Sequence, residues 1–302
     1  MNTLVLGGTG LIGGHAALHL ASLGHQVTIA ARKPAPADTP LGKLPQLTGD
    51  YLSDDFTPAQ LAGFDTLVFA AGNDIRHVPP GDDEATHWQR ANVEGVPRFF
   101  ARARDAGIRR AVYIGSFYPQ VRPELCEASA YVRGRKLADD GARALASDHF
   151  HVCSINAPFV VGHVPGLIVP GMAAHAAYAL GQFPQMPVFA PLGGVNFIST
   201  ESLSEAIVGA LARGENGKAY LVGDENLSFQ DYFGEYFRAA GHTEKIPAFA
   251  DDHPLLPNSI LYAGPGNTLY FEPDAAELKL LSYRRNDVRK TLREIVDFYR
   301  AP

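Results

Sequence analysis

Apolar residues in this 302-residue chain fall into short unbroken runs that alternate with longer stretches of helical spacing. Thr3 to Leu6, Gln26 to Ala31, Asp65 to Gly72, Arg110 to Ser116 and Val152 to Asn156 have the continuous hydrophobicity of strands buried on both faces, and Leu47 to Asp50 reads as the end of one more. Leu11 to Leu23, His87 to Gly107 and Tyr131 to Ala146 repeat their apolar positions at helical spacing. Strands alternating with helices predict an α/β fold with a doubly wound parallel sheet.

The first turn of that pattern carries chemistry. Gly7-Gly8-Thr9-Gly10-Leu11-Ile12-Gly13 sets glycines at the spacing G-x-x-G-x-x-G between a strand and a helix. Glycine removes the side chains that would keep a pyrophosphate from the backbone, and the unpaired N–H groups of the helix start favour an anion without help from Lys or Arg. With the strand Gln26 to Ala31 following, the context is that of a Rossmann-type dinucleotide site. Ligands of such sheets sit beyond the carboxyl ends of the strands. Gly7, Thr9, Gly10, Leu11, Ile12 and Gly13 are therefore expected at the pyrophosphate, Asp50 and Tyr51 at the adenine, and Ala70, Ala71 and Gly72 alongside the cofactor.

The end of the second strand bears on which dinucleotide binds. Sites for NAD(H) usually carry an acidic residue there, whose carboxylate accepts both ribose hydroxyls and repels a 2′-phosphate. Here Ala30-Ala31 is followed at once by Arg32-Lys33. That predicts NADP(H) in preference to NAD(H), with Arg32 on the 2′-phosphate and Lys33 adding a point charge. A solvated basic pair in a Pro-rich loop is the alternative.

Composition narrows the setting. At 46% hydrophobic residues the chain can bury a large core, which argues for one α/β unit with a smaller lobe rather than two independent domains. The expected division is residues 1–157 for the dinucleotide-binding domain and 158–302 for a discontinuous C-terminal substrate lobe, with a segment near 196–218 returning to the first sheet. A net charge of -6 argues against nucleic acid as a partner. Met1-Asn2-Thr3 runs straight into a strand, with no basic region, cleavage site or long apolar segment, so no export signal and no membrane partner are expected and the cytoplasm is the expected location. Cys126 and Cys153 form no metal-ligand spacing and read as reduced thiols, so no metal site is expected.

A family resemblance becomes specific in five segments. The glycine segment, Gly49-Asp50, Ala91-Asn92-Val93-Glu94-Gly95, Tyr113-Ile114-Gly115-Ser116 and Asn156-Ala157-Pro158-Phe159-Val160-Val161-Gly162 occur in the order seen in the extended short-chain dehydrogenase/reductases, which include NAD(P)-dependent sugar-nucleotide epimerases and dehydratases and dihydroflavonol-reductase-like enzymes. Asn196 to Ala206, Lys218 to Gly223 and Ala276 to Tyr299 are similar too, so the resemblance covers nearly the whole chain. It implies that Asn92, Pro158, Phe159 and Val161 border the cofactor and active site, and that a Ser and a Tyr flank the reacting carbon. Ser116 and Tyr131 match those positions. Family members often pair through helices corresponding to residues 87–107 and 131–146, and a homodimer is one assembly left open.

The chemical need for those hydroxyls is direct. Reducing a carbonyl puts negative charge on its oxygen, where a hydroxyl donor and a proton source must meet it. An unperturbed Tyr titrates near ~10, so it needs a neighbouring cation to act as an acid or base. The family places a Lys four residues after the Tyr, whereas this chain has Arg135. At roughly 100° per residue, position 135 lies about 40° round the helix from Tyr131 and Lys136 about 140°, so Arg135 inherits the slot.

Phe117-Tyr118-Pro119 stand where dehydratases of the family carry an acidic pair. Apolar residues there suit a less polar substrate than a nucleotide sugar, ordinary packing of Tyr118 being the alternative. His163 lies where the family's substrate pocket begins, or is structural. His175, Tyr178 and Phe183 line an apolar wall or form helix core, and Asp251 to Asn267 reads as an irregular segment that covers the pocket. The expected function is NADPH-dependent reduction of a ketone or aldehyde on a small, fairly apolar substrate, with Ser116, Tyr131 and Arg135 catalytic and Phe117, Tyr118 and His163 at the substrate. Two alternatives stand beside it: an NADP(H)-binding sensor or regulator without turnover, and a nucleotide-sugar epimerase.

Overall fold

A computed structural model of the protein describes residues 1–53, 55–72 and 77–300. Its strands are β1 (Asn2–Leu6), β2 (Gln26–Ala31), β3 (Gln46–Thr48), β4 (Thr66–Phe69), β5 (Arg110–Ser116), β6 (His151–Ala157), β7 (Phe159–Val161), β8 (Ala190–Pro191), β9 (Gly194–Ser199), β10 (Ala219–Leu221), β11 (Glu225–Ser228), β12 (Ala248–Phe249) and β13 (Thr268–Leu269). Seven of them form one parallel sheet in the order β3-β2-β1-β4-β5-β6-β10. Val5 stands opposite both Ile29 and Val68, and Ser116 opposite Ala157. The direction of strand progression reverses between β1 and β4, which opens the crevice where such sheets bind ligands.

The side-chain alternation of β1 serves two cores. Val5 joins Ile29, Val68, Val112 and Ile155 beneath the helices Leu11–Ser22 and Thr200–Arg213. Leu4 and Leu6 turn the other way, onto Phe69, Phe99, Phe100 and Tyr113, beneath Gly95–Asp105 and Ala130–Arg143. Burial on both faces is why these strands read as unbroken apolar runs.

A second lobe holds its own core. There β11, β9 and β13 pair in that order and β7 lies alongside β9, while Phe197, Tyr232, Phe233, Tyr236, Leu292 and Ile295 interlock beneath the helices Phe229–Ala240 and Val288–Arg300. The chain crosses between lobes five times, three of them through very short joints. Pro158 alone separates β6 from β7, β9 runs at Ser199 directly into Thr200–Arg213, and three residues, Val222 to Asp224, join β10 to β11. Leu11, the first residue of the glycine-loop helix, packs against both the first core and the second.

Several elements differ from their expected form. The helix over His87 to Gly107 is three pieces: Glu84–Trp88, a π-helical turn Gln89–Glu94, and Gly95–Asp105, with Pro97 supplying no N–H near the junction. The closing stretch holds two helices, Ala275–Leu281 and Val288–Arg300, separated where Ser282 and Asn286 take positive φ (57° and 65°) and the Asp224 carboxylate accepts the Asn286 N–H at 2.6 Å. Within the segment 196–218, the helix packs on the large sheet, but Asn196 to Ser199 pair with β7 and β11 in the second lobe. The strand that returns is β10, just beyond it.

Candidate active site

The glycine turn is shaped for a diphosphate. Gly7 has φ +82°, and a Cβ there would stand 2.7 Å from the Ala70 and Ala71 main chain; a Cβ on Gly13 would stand 2.3 Å from the Gly7 oxygen. Both glycines are thus required by the fold. Gly10 differs, because a Cβ on it would meet nothing nearer than the Gly7 oxygen at 3.4 Å. Among the described residues Gly10 is exposed on the outer side of the turn. No side chain caps the helix Leu11–Ser22 and no acidic residue stands in its first turn, which leaves the N–H groups of Leu11, Ile12 and Gly13 to an anion. Thr9 sits half-buried in the turn between them.

At the far end of the crevice Arg32 and Lys33 are exposed just past β2. Arg32, Arg90 and His77 lie near enough to His87 that their charges, after burial, help hold its imidazole below the usual value. Asp50 accepts the Leu52 N–H at 3.0 Å. Tyr51 departs from expectation: its ring is buried edge-on against Phe69 and Phe99, and its hydroxyl donates to the Ala91 carbonyl at 2.9 Å. Only its main chain is left for the cofactor, because its side chain is needed to fill the core.

Ser116 ends β5, half-buried, and Tyr131 begins the helix Ala130–Arg143, which Ser129 caps by accepting the Val132 N–H. One turn on, Arg135 is 8% exposed and points back. Its Nη1 donates loosely to the Tyr131 hydroxyl at 3.4 Å and its Nη2 to the Ile114 carbonyl at 2.9 Å. The guanidinium carbon lies 5.9 Å from the centre of the Tyr113 ring and 6.0 Å from that of Tyr131. Burial works against its charge, and the two phenols more than offset it, so its pKa stands above the ordinary arginine value. The same guanidinium lies under the end of β4, where a Cβ on Gly72 would stand 3.3 Å from Nη1.

Four buried polar atoms gather here without a hydrogen-bond partner among the described residues: His87 Nε2, Trp88 Nε1, Asn92 Nδ2 and Arg135 Nε. Buried polar groups are rarely left so, and such a cluster marks a place where a ligand's polar atoms complete the structure. Asn92 lies in the π-helical turn, a distortion common at functional sites, and is packed on Gly134, whose Cβ would stand 3.7 Å from Nδ2. The open Gly10, the uncapped helix start and these orphaned atoms fit a dinucleotide along the crevice from Arg32 to Tyr131.

On the substrate side, aromatic rings dominate. Tyr131 stacks on Tyr262 (4.5 Å between centroids, 17°) and takes the edge of Trp88 at 5.3 Å. Tyr118 stands edge-on to Tyr262, and burial raises its hydroxyl pKa well above the usual value. Phe117 is buried between Tyr118 and Phe271. Trp88 and Tyr262 were missed in the sequence. Trp88 carried a signal, four residues before Asn92 on one helical face; Tyr262, inside the irregular stretch, carried none.

Other expected residues turn elsewhere. Phe159 packs its ring on Phe197 and Tyr232, and Val161 is wholly buried, so their side chains are second-lobe core. His163 stacks on Phe298 of the last helix at 4.6 Å, a structural contact. His175 and Tyr178 are core, while Phe183 is partly exposed.

A parallel sheet with this glycine turn, strand-end serine and helical tyrosine is the arrangement of the extended short-chain dehydrogenase/reductases. The chain belongs to the NAD dependent epimerase/dehydratase family, whose model matches residues 3–223. It is 28% identical over 270 residues, 83% of this chain and 75% of the other, to a Synechocystis sp. protein with the provisional name dihydroflavonol 4-reductase. Among solved structures it is similar in fold to gox2253 (20% identity, TM-score 0.78, 99% and 97% of the two chains). A UDP-glucose-4-epimerase from Stenotrophomonas maltophila with bound NAD and formylated UDP-arabinopyranose gives 18% identity and TM-score 0.76 over 99% and 98% of the chains. WbmF of Bordetella bronchiseptica in complex with NAD+ gives 16% and 0.75 over 99% and 92%. Family membership and the reductase-named relative support an NAD(P)-dependent enzyme of epimerase or reductase type. Among the described residues no helix is long and apolar enough to cross a membrane.

Proposed function

We propose that this protein is an NADPH-dependent reductase of a ketone or aldehyde on a small, fairly apolar substrate. The observation that carries the reading is the buried Arg135 guanidinium, set between the Tyr131 hydroxyl and the carbonyl of Ile114, two residues before Ser116. When bound, the reduced nicotinamide supplies hydride to the carbonyl carbon. The chain's own residues deal with the oxygen, which gains negative charge as the carbon is attacked. Tyr131 gives that oxygen its phenolic proton and Ser116 donates it a hydrogen bond. Arg135 stabilises the phenolate left on Tyr131 until solvent returns a proton.

Arg32 and Lys33 favour the 2′-phosphate of NADPH, since no carboxylate stands at the end of β2 to repel it. The wall of Phe117, Tyr118 and Phe271 supports an apolar substrate over nucleotide sugars such as the one bound in the Stenotrophomonas epimerase. The test is NADPH consumption over a panel of aldehydes and ketones by the wild type and Y131F. Turnover that disappears in Y131F supports the reading. NADPH binding with no turnover of any carbonyl or nucleotide sugar would make the protein a sensor, and conversion of a nucleotide sugar without net NADPH consumption would make it an epimerase.

A further inference from the structure

We infer that Tyr262 is a positioning residue for Tyr131, a ring delivered by the second lobe that holds the proton-donating phenol in place. The inference rests on Tyr131 being the donor in the reading above. Tyr131 is the second residue of its helix, just after the Ser129 cap. Trp88 covers it edge-on at 5.3 Å and 70°, and Arg135 lies beneath its hydroxyl. The remaining face is covered by Tyr262, stacked at 4.5 Å and 17°.

Tyr262 is itself fixed. Its ring takes the edge of Tyr118 at 5.4 Å, and its backbone hydrogen-bonds the Tyr118 hydroxyl. The segment carrying it is pinned on the second lobe: the Leu255 carbonyl is in hydrogen-bond contact with His175 Nε2 at 3.0 Å, Gly264 N–H donates to the Leu261 carbonyl at 2.7 Å, and β13 pairs with β9 soon after. A stacked ring, an edge-on ring and a guanidinium together hold Tyr131 in one orientation. A single aromatic contact is a small part of a domain's stability, so loss of the stack leaves the fold intact. Its effect falls on geometry, where a displacement of about 1 Å is enough to lower a rate ~100-fold.

Trp88 makes this testable without a known substrate, because it is the only tryptophan in the chain, is buried, and touches Tyr131. Acrylamide quenching of its fluorescence in the NADP+-saturated protein reads whether the Tyr131 ring is still in place, with Y131L as the reference for its loss. Y262A and Y262L are expected to shift quenching to the Y131L level. With 4-nitrobenzaldehyde as probe they lower kcat on the order of 100-fold, while KM for NADPH stays within about twofold. Y262F keeps the ring and retains wild-type quenching and kcat, which separates positioning from a general loss of fold.

Wild-type quenching in both Y262A and Y262L overturns the inference. So does a kcat loss with unchanged quenching, which would place Tyr262 on the substrate instead, or equal losses in Y262F, which would assign the role to its hydroxyl. If the wild type reduces no carbonyl yet Y262A matches Y131L in quenching, the clamp stands and the reductase reading alone fails.

Discussion

The Tyr131 hydroxyl and Arg135 Nη1 lie 3.4 Å apart on successive turns of one helix, while the other arm of the same guanidinium is tied to the Ile114 carbonyl. An ammonium at position 135 would be a point charge on a flexible stem; the guanidinium is a planar fork held at one tip. Anchoring fixes the direction from which the phenol sees positive charge.

In Y131F, loss of the proton donor is expected to lower kcat by about 10²- to 10⁴-fold with NADPH affinity unchanged. R135K keeps the charge and loses the fork, so a smaller fall, on the order of tenfold, is expected, and R135M falls as far as Y131F. Steady-state kinetics on one carbonyl substrate orders the three variants; R135M equal to wild type would remove Arg135 from the chemistry.

The glycines divide into two kinds. A methyl on Gly7 or Gly13 collides with backbone, so G7A and G13A lose stability as well as nucleotide binding. A methyl on Gly10 meets only the Gly7 oxygen at 3.4 Å, so G10A keeps its melting temperature and loses dinucleotide affinity. Thermal unfolding with and without NADPH distinguishes them, and unimpaired NADPH binding by G10A would move the pyrophosphate elsewhere.

Selection of the cofactor is expected to rest on Arg32. A charge-assisted hydrogen bond contributes roughly 1.5–3 kcal/mol, so R32A weakens NADPH about 10- to 100-fold and leaves NADH nearly untouched. Titration of both cofactors against the variant measures the ratio; an unchanged ratio assigns selectivity to another residue.

Acid weakens this fold through two histidines. Burial holds His175, between the Tyr232 hydroxyl and the Leu255 carbonyl, down to about 4; burial, then the charges of His19 and His163, do the same for His15. Between pH 6.5 and 4 the unfolded chain carries protons that the folded chain refuses, so stability is full above 6.5 and falls with pH, by roughly 1.4 kcal/mol per unit for each histidine. Urea unfolding of the wild type and H175Q across this range is expected to differ by the His175 share, roughly 1.4 kcal/mol per pH unit.

The large sheet was legible because β1, β4 and β5 are apolar on both faces and end in small residues, signals that need no partner to read. Ser116 and Tyr131 were picked out by the family resemblance, and the helical spacing of four then set Arg135 beside Tyr131. Direction was not legible. A position at a strand end says that backbone faces the crevice, yet Tyr51, Phe159 and Val161 send their side chains into cores whose shape depends on distant segments. Tyr262 lay furthest from view, since an irregular loop from the other lobe has no period to betray which residue it lays on Tyr131.

Between β6 and β7 the chain has one residue, Pro158, to pass from one sheet to the other; at Ser199–Thr200 it has none, and between β10 and β11 three. Joints this short have no slack. A shift in the second lobe therefore reaches the carboxyl ends of β6 and β10 with almost no chain to absorb it, so strain entering either lobe is shared with the other.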